Sequence, residues 1–599
     1  MKLGLAAAWL AAGAVCFAQT PQAPPERPRA GKVEIMRAAE LKPGMKGYAW
    51  TVFTGTEPEP VPVEIIGLWK NAWGPKQDVI LARLGGQAAR TNVAAGMSGT
   101  PVYIDGKLVG AISTRLSVFS PEATCGITPI ELMLEVSEFD DSRPADARSP
   151  DRAAGEGERR ATSALALIET PLAFAGFEAS TLEQFGPSLR RLGLTAVQGG
   201  AAASLDSPVP APGWQRALQP GDAVAGVLVS GDMSIAGLGT VTYNDGRRVL
   251  AFGHPLFNLG PLDMPMSRAE VLFTNASSFQ PGKFANATEI AGAFKQDRHS
   301  GMLGVLGEAA AMVPVSLTVR SFGEDNTVRK QKVLRFQVFV QQRWTPYLMT
   351  LTLFNSIAGM NEFREESTYR LSGRVELAGQ RSLVLATMQA PGELAAPAPM
   401  LLAGWWGDKF NRLFGNAVTT PQLKRVDATI DLLPERRVAA IESAWLGVSE
   451  VEPGEEVPFK VFLRPYRGAR ITRDFTLRIP PGLAKGEHRI LLSDADTLNR
   501  IESAAGFMNR FIDLAQAVSL INQERSNNRL YISLVEARPT LYYDDKTLPS
   551  LPASVANVMQ TGRAASRAFV TSGESALEQM AVPFDFIITG SYALKIAVR

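Results

Sequence analysis

The sequence predicts a mainly β protein, and three features carry that prediction. Runs rich in Val, Ile, Thr and aromatic residues recur between turn residues, as in "VPVEIIGLW", "DVILARL" and "VPFKVFLRPY". Glycine and proline number 53 and 40 in 599 residues, enough to supply the many turns such strands need. Two blocks also repeat a pattern. "LKPGMKGYAWTVFTG" from Leu41 is echoed by "LQPGDAVAGVLVSGD" from Leu218, and the hairpin "TPVYIDGKLVGAIS" by "GTVTYNDGRRVLAFGHP". Both hairpins turn through Asp-Gly, which offers the positive φ of a tight β turn. Two related β units are implied, with further β domains after them.

At the N-terminus, "MKLGLAAAWLAAGAVCFAQT" sets Lys2 before an apolar run and Ala18 before Gln19. This is the pattern of a secretory signal spanning 1–18, too short and wrongly flanked for a stable membrane span. An exported protein, periplasmic or secreted, with no transmembrane segment after signal removal is therefore expected. Cys16 raises a lipid anchor, although Gly-Ala-Val before it is a poor attachment context. Residues 19–32 form a Pro-rich tether, and 33–138 are strand-rich. The polar, charged stretch opening 139–217 reads as a linker with a short helical segment at "STLEQFGPSLRRLGL", its Arg-rich part, 139–160, being a candidate for self-cleavage.

Residues 218–345 form the second strand-rich block, and 346–440 a β-rich accessory region with a short amphipathic helix at "WWGDKFNRLFG". Alternating runs over 441–599 suggest a β-sandwich-like domain. It includes one long helix over "TLNRIESAAGFMNRFIDLAQAVSLINQE", whose Leu498, Ile501, Met508, Ile512, Ala515 and Val518 approximate one face.

Composition removes several functional classes. The 61 basic and 59 acidic residues leave no basic stripe for a nucleic-acid partner. With only His254, His299 and His488, and no HExxH or CxxC, no zinc pattern is present. No phosphate loop occurs, and "GLGTVT" lacks the third glycine of a dinucleotide fingerprint. No metal or organic cofactor is implied. If Cys16 leaves with the signal, Cys125 stands alone amid apolar neighbours and reads as a small buried hydrophobe.

Serine chemistry on a β scaffold is what remains. In "AAGMSGTPVYIDG", glycines on both sides of Ser98 let the chain turn sharply enough for the Gly96 and Ser98 amides to converge. A serine hydroxyl needs an adjacent base, and His254 in "LAFGHP" ends a strand next to a glycine and a proline. The plainer alternatives are a small residue in a hairpin approach and a core or capping histidine. His299 reads as solvated, and Trp405 and Trp406 as core contacts or a binding platform. The Asn275 and Asn286 sequons are short enough to arise by chance.

"GMSGTPVYIDGKLVGAIS" with "GITPIELM" downstream resembles the serine segment of the SpoIVB-type sporulation peptidases, a chymotrypsin-like serine peptidase family. "GLGTVTYNDGRRVLAFGHP" and the stretch that follows resemble that family's histidine segment, the likeness covering 33–138 and 218–320. The resemblance implies two β barrels, in permuted order because the family's histidine segment precedes its serine. It implies Ser98 as nucleophile, His254 as general base, the Gly96 and Ser98 amides as oxyanion hole, and a protein or peptide substrate cleaved through an acyl-enzyme.

Where the family carries its acid this chain has Arg83; Asp78 is the nearest candidate, with Asp222, Asp263 and Asp297 also open. The alternative is an inactive peptidase-like scaffold that binds a protein partner in the cell envelope through its C-terminal domains.

Overall fold

The computed structural model describes residues 25–599 except 117–119, 151–164, 201–206, 278, 361–365, 393–395, 417, 504–512, 537–539, 544–545, 553, 556, 559–569 and 573. The expected signal, the cleavage point after Ala18 and Cys16 lie outside the described residues. The protein is mainly β, 49% strand against 16% helix. Among the described residues no helix is long and apolar enough to cross a membrane.

Six consecutive strands open the chain: β1 (Lys46–Thr51), β2 (Glu59–Gly74), β3 (Gln77–Leu84), β4 (Pro101–Ile104), β5 (Lys107–Arg115) and β6 (Thr124–Pro129). They pair in the order β1-β2-β3-β6-β5-β4, and β4 returns to β1, so the sheet closes into a barrel. Alternation fills its interior: Val61, Val63 and Ile65 face inward on β2 while their neighbours face out. The interior also takes Met97, Val102, Ile112 and Cys125. Cys125 is wholly buried, and burial pushes its thiol up to about 12. The β4–β5 turn runs through Asp105 and Gly106, both at positive φ, as its Asp-Gly pair predicts.

After β7 (Ala166–Leu167), β8 (Thr170–Ala175), the helix Ala179–Arg191 and β9 (Leu194–Gln198) comes a second run of six strands. These are β10 (Ala223–Gly231), β11 (Ser234–Asn244), β12 (Arg248–Ala251), β13 (Gly260–Asn275), β14 (Gly282–Arg298) and β15 (Gly301–Leu306). They pair β10-β11-β12-β15-β14-β13 and back to β10, the same cyclic order as the first ring. The two matching Pro-Gly openings lead into the first strand of each ring. The two Asp-Gly hairpins hold different places, joining the fourth and fifth strands of one ring and the second and third of the other.

The second ring continues outward into a thirteen-stranded sheet. β8 and β9 extend it beyond β11. On the other side β16 (Met312–Phe322), β17 (Val328–Phe339), β18 (Thr368–Leu377), β19 (Leu383–Gln389) and β20 (Leu423–Leu433) add to β10. The helices Trp344–Ala358 and Ala398–Phe414 cover this extension, and Trp344, Trp406 and Phe410 fill the shared core. Trp406 is 1% exposed and edge-on to Phe410, so it is a core contact and not a binding platform.

Beyond Val438, a four-stranded and a five-stranded sheet enclose one core that includes Val461, Leu463, Ile490 and Ile532. The single long helix expected there is corrected. Ala495–Ser503 and Leu514–Asn522 are separate helices, because Asp513 is extended and caps the second through the Gln516 amide. Met508 and Ile512 lie outside the described residues.

Candidate functional site

Ser98 lies in the connection from β3 to β4, and His254 in the connection from β12 to β13. Each is thus in the third-to-fourth-strand connection of its ring. Each connection packs on strands of the other ring. Ser98 O accepts from Thr240 N at 2.8 Å, Gly96 O from Thr240 Oγ1 at 3.1 Å and Gly99 O from Thr242 Oγ1 at 2.7 Å, which ties the serine turn to β11. In return Gly253 O accepts from Thr128 Oγ1 at 2.7 Å, and Gly253 lies against Ala111 and Ser113 of β5. Apolar contact between the rings comes from Leu108, Ala111, Ile130 and Met133 on one side and Leu250, Leu303 and Val305 on the other.

Both turns use backbone that side chains rarely adopt. Gly96 and Gly99 sit at φ +87° and +93°, on either side of Ser98. Phe252 and Gly253 sit at φ +70° and +65°, immediately before His254. A non-glycine residue at φ +70° is uncommon, and here it is held by a bond from its amide to Thr240 O. Within the serine turn, the amides of Met97, Gly99 and Thr100 bond to Ala94 O, Ile112 O and Met97 O. Among the described residues the Gly96 and Ser98 amides donate no backbone hydrogen bond.

The imidazole of His254 is 2% exposed and its Nδ1 lies 2.9 Å from Pro255 O. A carbonyl can only accept, so Nδ1 carries the proton and Nε2 the lone pair. Burial, with Arg148 and His299 nearby adding positive charge, pulls the imidazole down to about 4 and keeps it neutral. Ser98 is wholly buried. Ser98 Oγ and His254 Nε2 are both buried without a hydrogen-bond partner, and they are not bonded to each other. Unsatisfied polar atoms are costly, and each of these two turns carries one.

None of the four aspartates bonds to His254. Asp78 accepts the Asn71 amide at 2.8 Å on the β2–β3 hairpin. Asp222 pairs with Arg27 at 2.6 Å and accepts the Gln219 amide. Asp263 pairs with Lys295 at 2.7 Å. Asp297 is wholly buried and accepts the amides of Leu256, Phe257 and Leu259 at 2.9, 2.7 and 3.4 Å, anchoring the loop that follows His254. Burial holds its carboxyl up at about 6 against those hydrogen bonds. The orienting partner of His254 is the neighbouring carbonyl. His299 is exposed and meets the edge of Trp73.

Sequence reasoning passed over Lys283, which is 1% exposed and crosses Gly96. A lone lysine at the start of a strand reads as solvated, and nothing in "PGKFANAT" signals otherwise. Among the described residues no group of three or more His, Cys, Asp or Glu side chains could hold a metal ion. A shallow cavity of about 300 Å³ lies elsewhere, on the polar face of β16, β18 and β20, lined by Ser316, Thr318, Ser372, Arg374, Asp427 and Thr429. Compared with known proteins, the chain matches no family model, no curated protein and no solved structure.

Proposed function

We propose that the chain is a serine endopeptidase of the SpoIVB type, exported to the periplasm or medium, whose two strand rings act as a permuted chymotrypsin-like pair of barrels. One observation carries this reading. Two rings of identical strand order each offer the same connection, and each connection packs on the other ring, the Ser98 turn on β11 with Gly99 against Phe252, and Gly253, next to His254, on β5 and β6. His254 Nε2 would take the proton of Ser98 Oγ as the oxygen attacks the scissile carbonyl, then return it to the leaving amine. The free Gly96 and Ser98 amides would receive the oxyanion. Neither Oγ nor Nε2 is bonded in this structure, so the reactive arrangement requires a local shift that brings them within hydrogen-bond reach.

A second reading, a peptidase-like scaffold that binds a protein partner without cleaving it, is favoured by the complete burial of Ser98. A fluorophosphonate probe separates the two. Labelling of wild type that is lost in Ser98→Ala and in His254→Ala supports the peptidase. A folded wild-type protein that never labels favours the scaffold.

A further inference from the structure

Lys283 is the second residue of β14 and is among the largest wholly buried side chains of the described residues. Its stem lies under the serine turn: a Cβ built on Gly96 would stand 3.4 Å from both Lys283 Cβ and Lys283 Cδ. Its backbone is stitched to the same turn, Lys283 N to Ala95 O at 2.9 Å and Ala95 N to Pro281 O at 2.8 Å. The amine donates to Thr51 Oγ1 at 2.6 Å, its one hydrogen bond among the described residues. Continuing the β1–β4 register, with Ala49 opposite Val102, sets Thr51 opposite Thr100. The lysine therefore runs from beside Gly96 to Thr51, whose register partner is Thr100, so its stem and amine adjoin both ends of the serine turn.

Nothing of opposite charge holds it there. Thr51 on β1, Ala95 and Gly96 on the turn and Thr274 opposite on β13 are all uncharged, and among the described residues no carboxylate pairs with the amine. An amine buried without a counter-charge is a standing cost to the fold. Burial alone lowers it to about 7, so it is partly charged near neutral pH. In so dry a site a positive charge acts strongly on any negative charge formed nearby.

Resting on the peptidase reading, we propose that Lys283 is a positioning residue of the oxyanion site, its ammonium stabilising the negative charge that forms at the Gly96 and Ser98 amides. Protonated Lys283 supports the reaction and neutral Lys283 does not. Neutral His254 is required as well, which confines reactivity to a window between the two titrations.

The test is the rate of fluorophosphonate labelling of the full chain from pH 4 to 9. Wild type is expected to label fastest on the acid side of neutrality and to slow as pH rises through about 7. Lys283→Met should lose the alkaline limb and label on the order of 100-fold more slowly at pH 6, while melting at a higher temperature than wild type. Lys283→Arg, charged at every pH used, should keep its rate above neutrality. Thr51→Val removes the hydroxyl that holds the amine and should move the alkaline limb to lower pH, a readout that stands even if Lys283→Met does not fold. Lys283→Met and Thr51→Val with the wild-type rate and profile would overturn the lysine assignment and leave the peptidase intact. A wild type that never labels would remove both.

Discussion

Gly99 shows how narrowly the serine turn is fixed. A Cβ there would stand 2.0 Å from Thr240 O and 2.5 Å from Phe252 N, at φ +93°. Gly106, also at positive φ, has nothing within 4 Å of the same position. Gly106→Ala should therefore cost about 1 kcal/mol, the backbone penalty alone. Gly99→Ala should cost at least about 3 kcal/mol, because the two rings must part to admit it. Urea unfolding of the two variants measures the difference.

The histidine carries a second test at this scale. Its folded pKa, about 4, lies below its ordinary 6.5, so between these values the unfolded chain binds more protons. The stability it contributes is complete above about pH 6.5 and is lost as pH falls toward 4, to the extent of about 3 kcal/mol. Asp297 acts in the opposite sense: its folded pKa is raised from 3.8 to about 6, so its contribution is present below 3.8 and lost as pH rises through about 6. The two overlap in any melting curve, so the check is an NMR titration of His254 itself. Its ring should stay neutral down to about pH 5; a midpoint near 6.5 would contradict the burial described.

At the scale of elements, three backbone amides of the loop from His254 to Leu259 are held by one carboxylate, that of Asp297. Asp297→Ala would leave three buried amides without acceptors and should destabilise the protein by about 2–4 kcal/mol. Asp297→Asn keeps one acceptor oxygen and should lose less, with slower labelling wherever the loop sets the position of His254. Melting temperature and labelling rate, read together, check this. The sequence announced the serine and histidine turns because both depend on glycine and proline, whose backbone meaning is local. It offered Asp297 only as one of several possible acids, not as the anchor of a loop, and passed over Lys283, because the burial of both is created by strands distant in the chain. The broken C-terminal helix is a different case. Asp513 and Gln516 spell a capping box that was readable, but apolar spacing continued across it and prevailed.

For the molecule as a whole, strand pairing disregards the boundaries that composition suggests. The boundary drawn between residues 345 and 346 falls inside one continuous sheet that runs from β9 to β19. Alternation was enough to show strands in order, whereas the closure of each ring depends on which edges meet, and no local pattern encodes that. The C-terminal domain is tied to β19 by Asn522 and Asn527 and to the helix Ala398–Phe414 by Glu524, which pairs with Lys409 at 2.6 Å and with Arg412. The Lys409 side chain is 5% exposed, and Glu524→Ala would leave it only Asp408 at 3.7 Å and the face of Trp405, so the substitution should cost about 2 kcal/mol. Fluorophosphonate labelling should be unchanged, since this tie is remote from Ser98. A parallel loss of labelling would show that the C-terminal domain supports the serine turn.

The first ring is assembled from consecutive strands, so every residue that closes it is synthesised before the second ring is. Its serine is then already on the chain, but Thr240, Phe252, His254 and Lys283 have not yet emerged. A nascent protein therefore carries the hydroxyl without the base, the anchored turn or the buried amine. Under the peptidase reading, the order of translation itself acts as a safety catch, released only when the fifth strand of the second ring is in place.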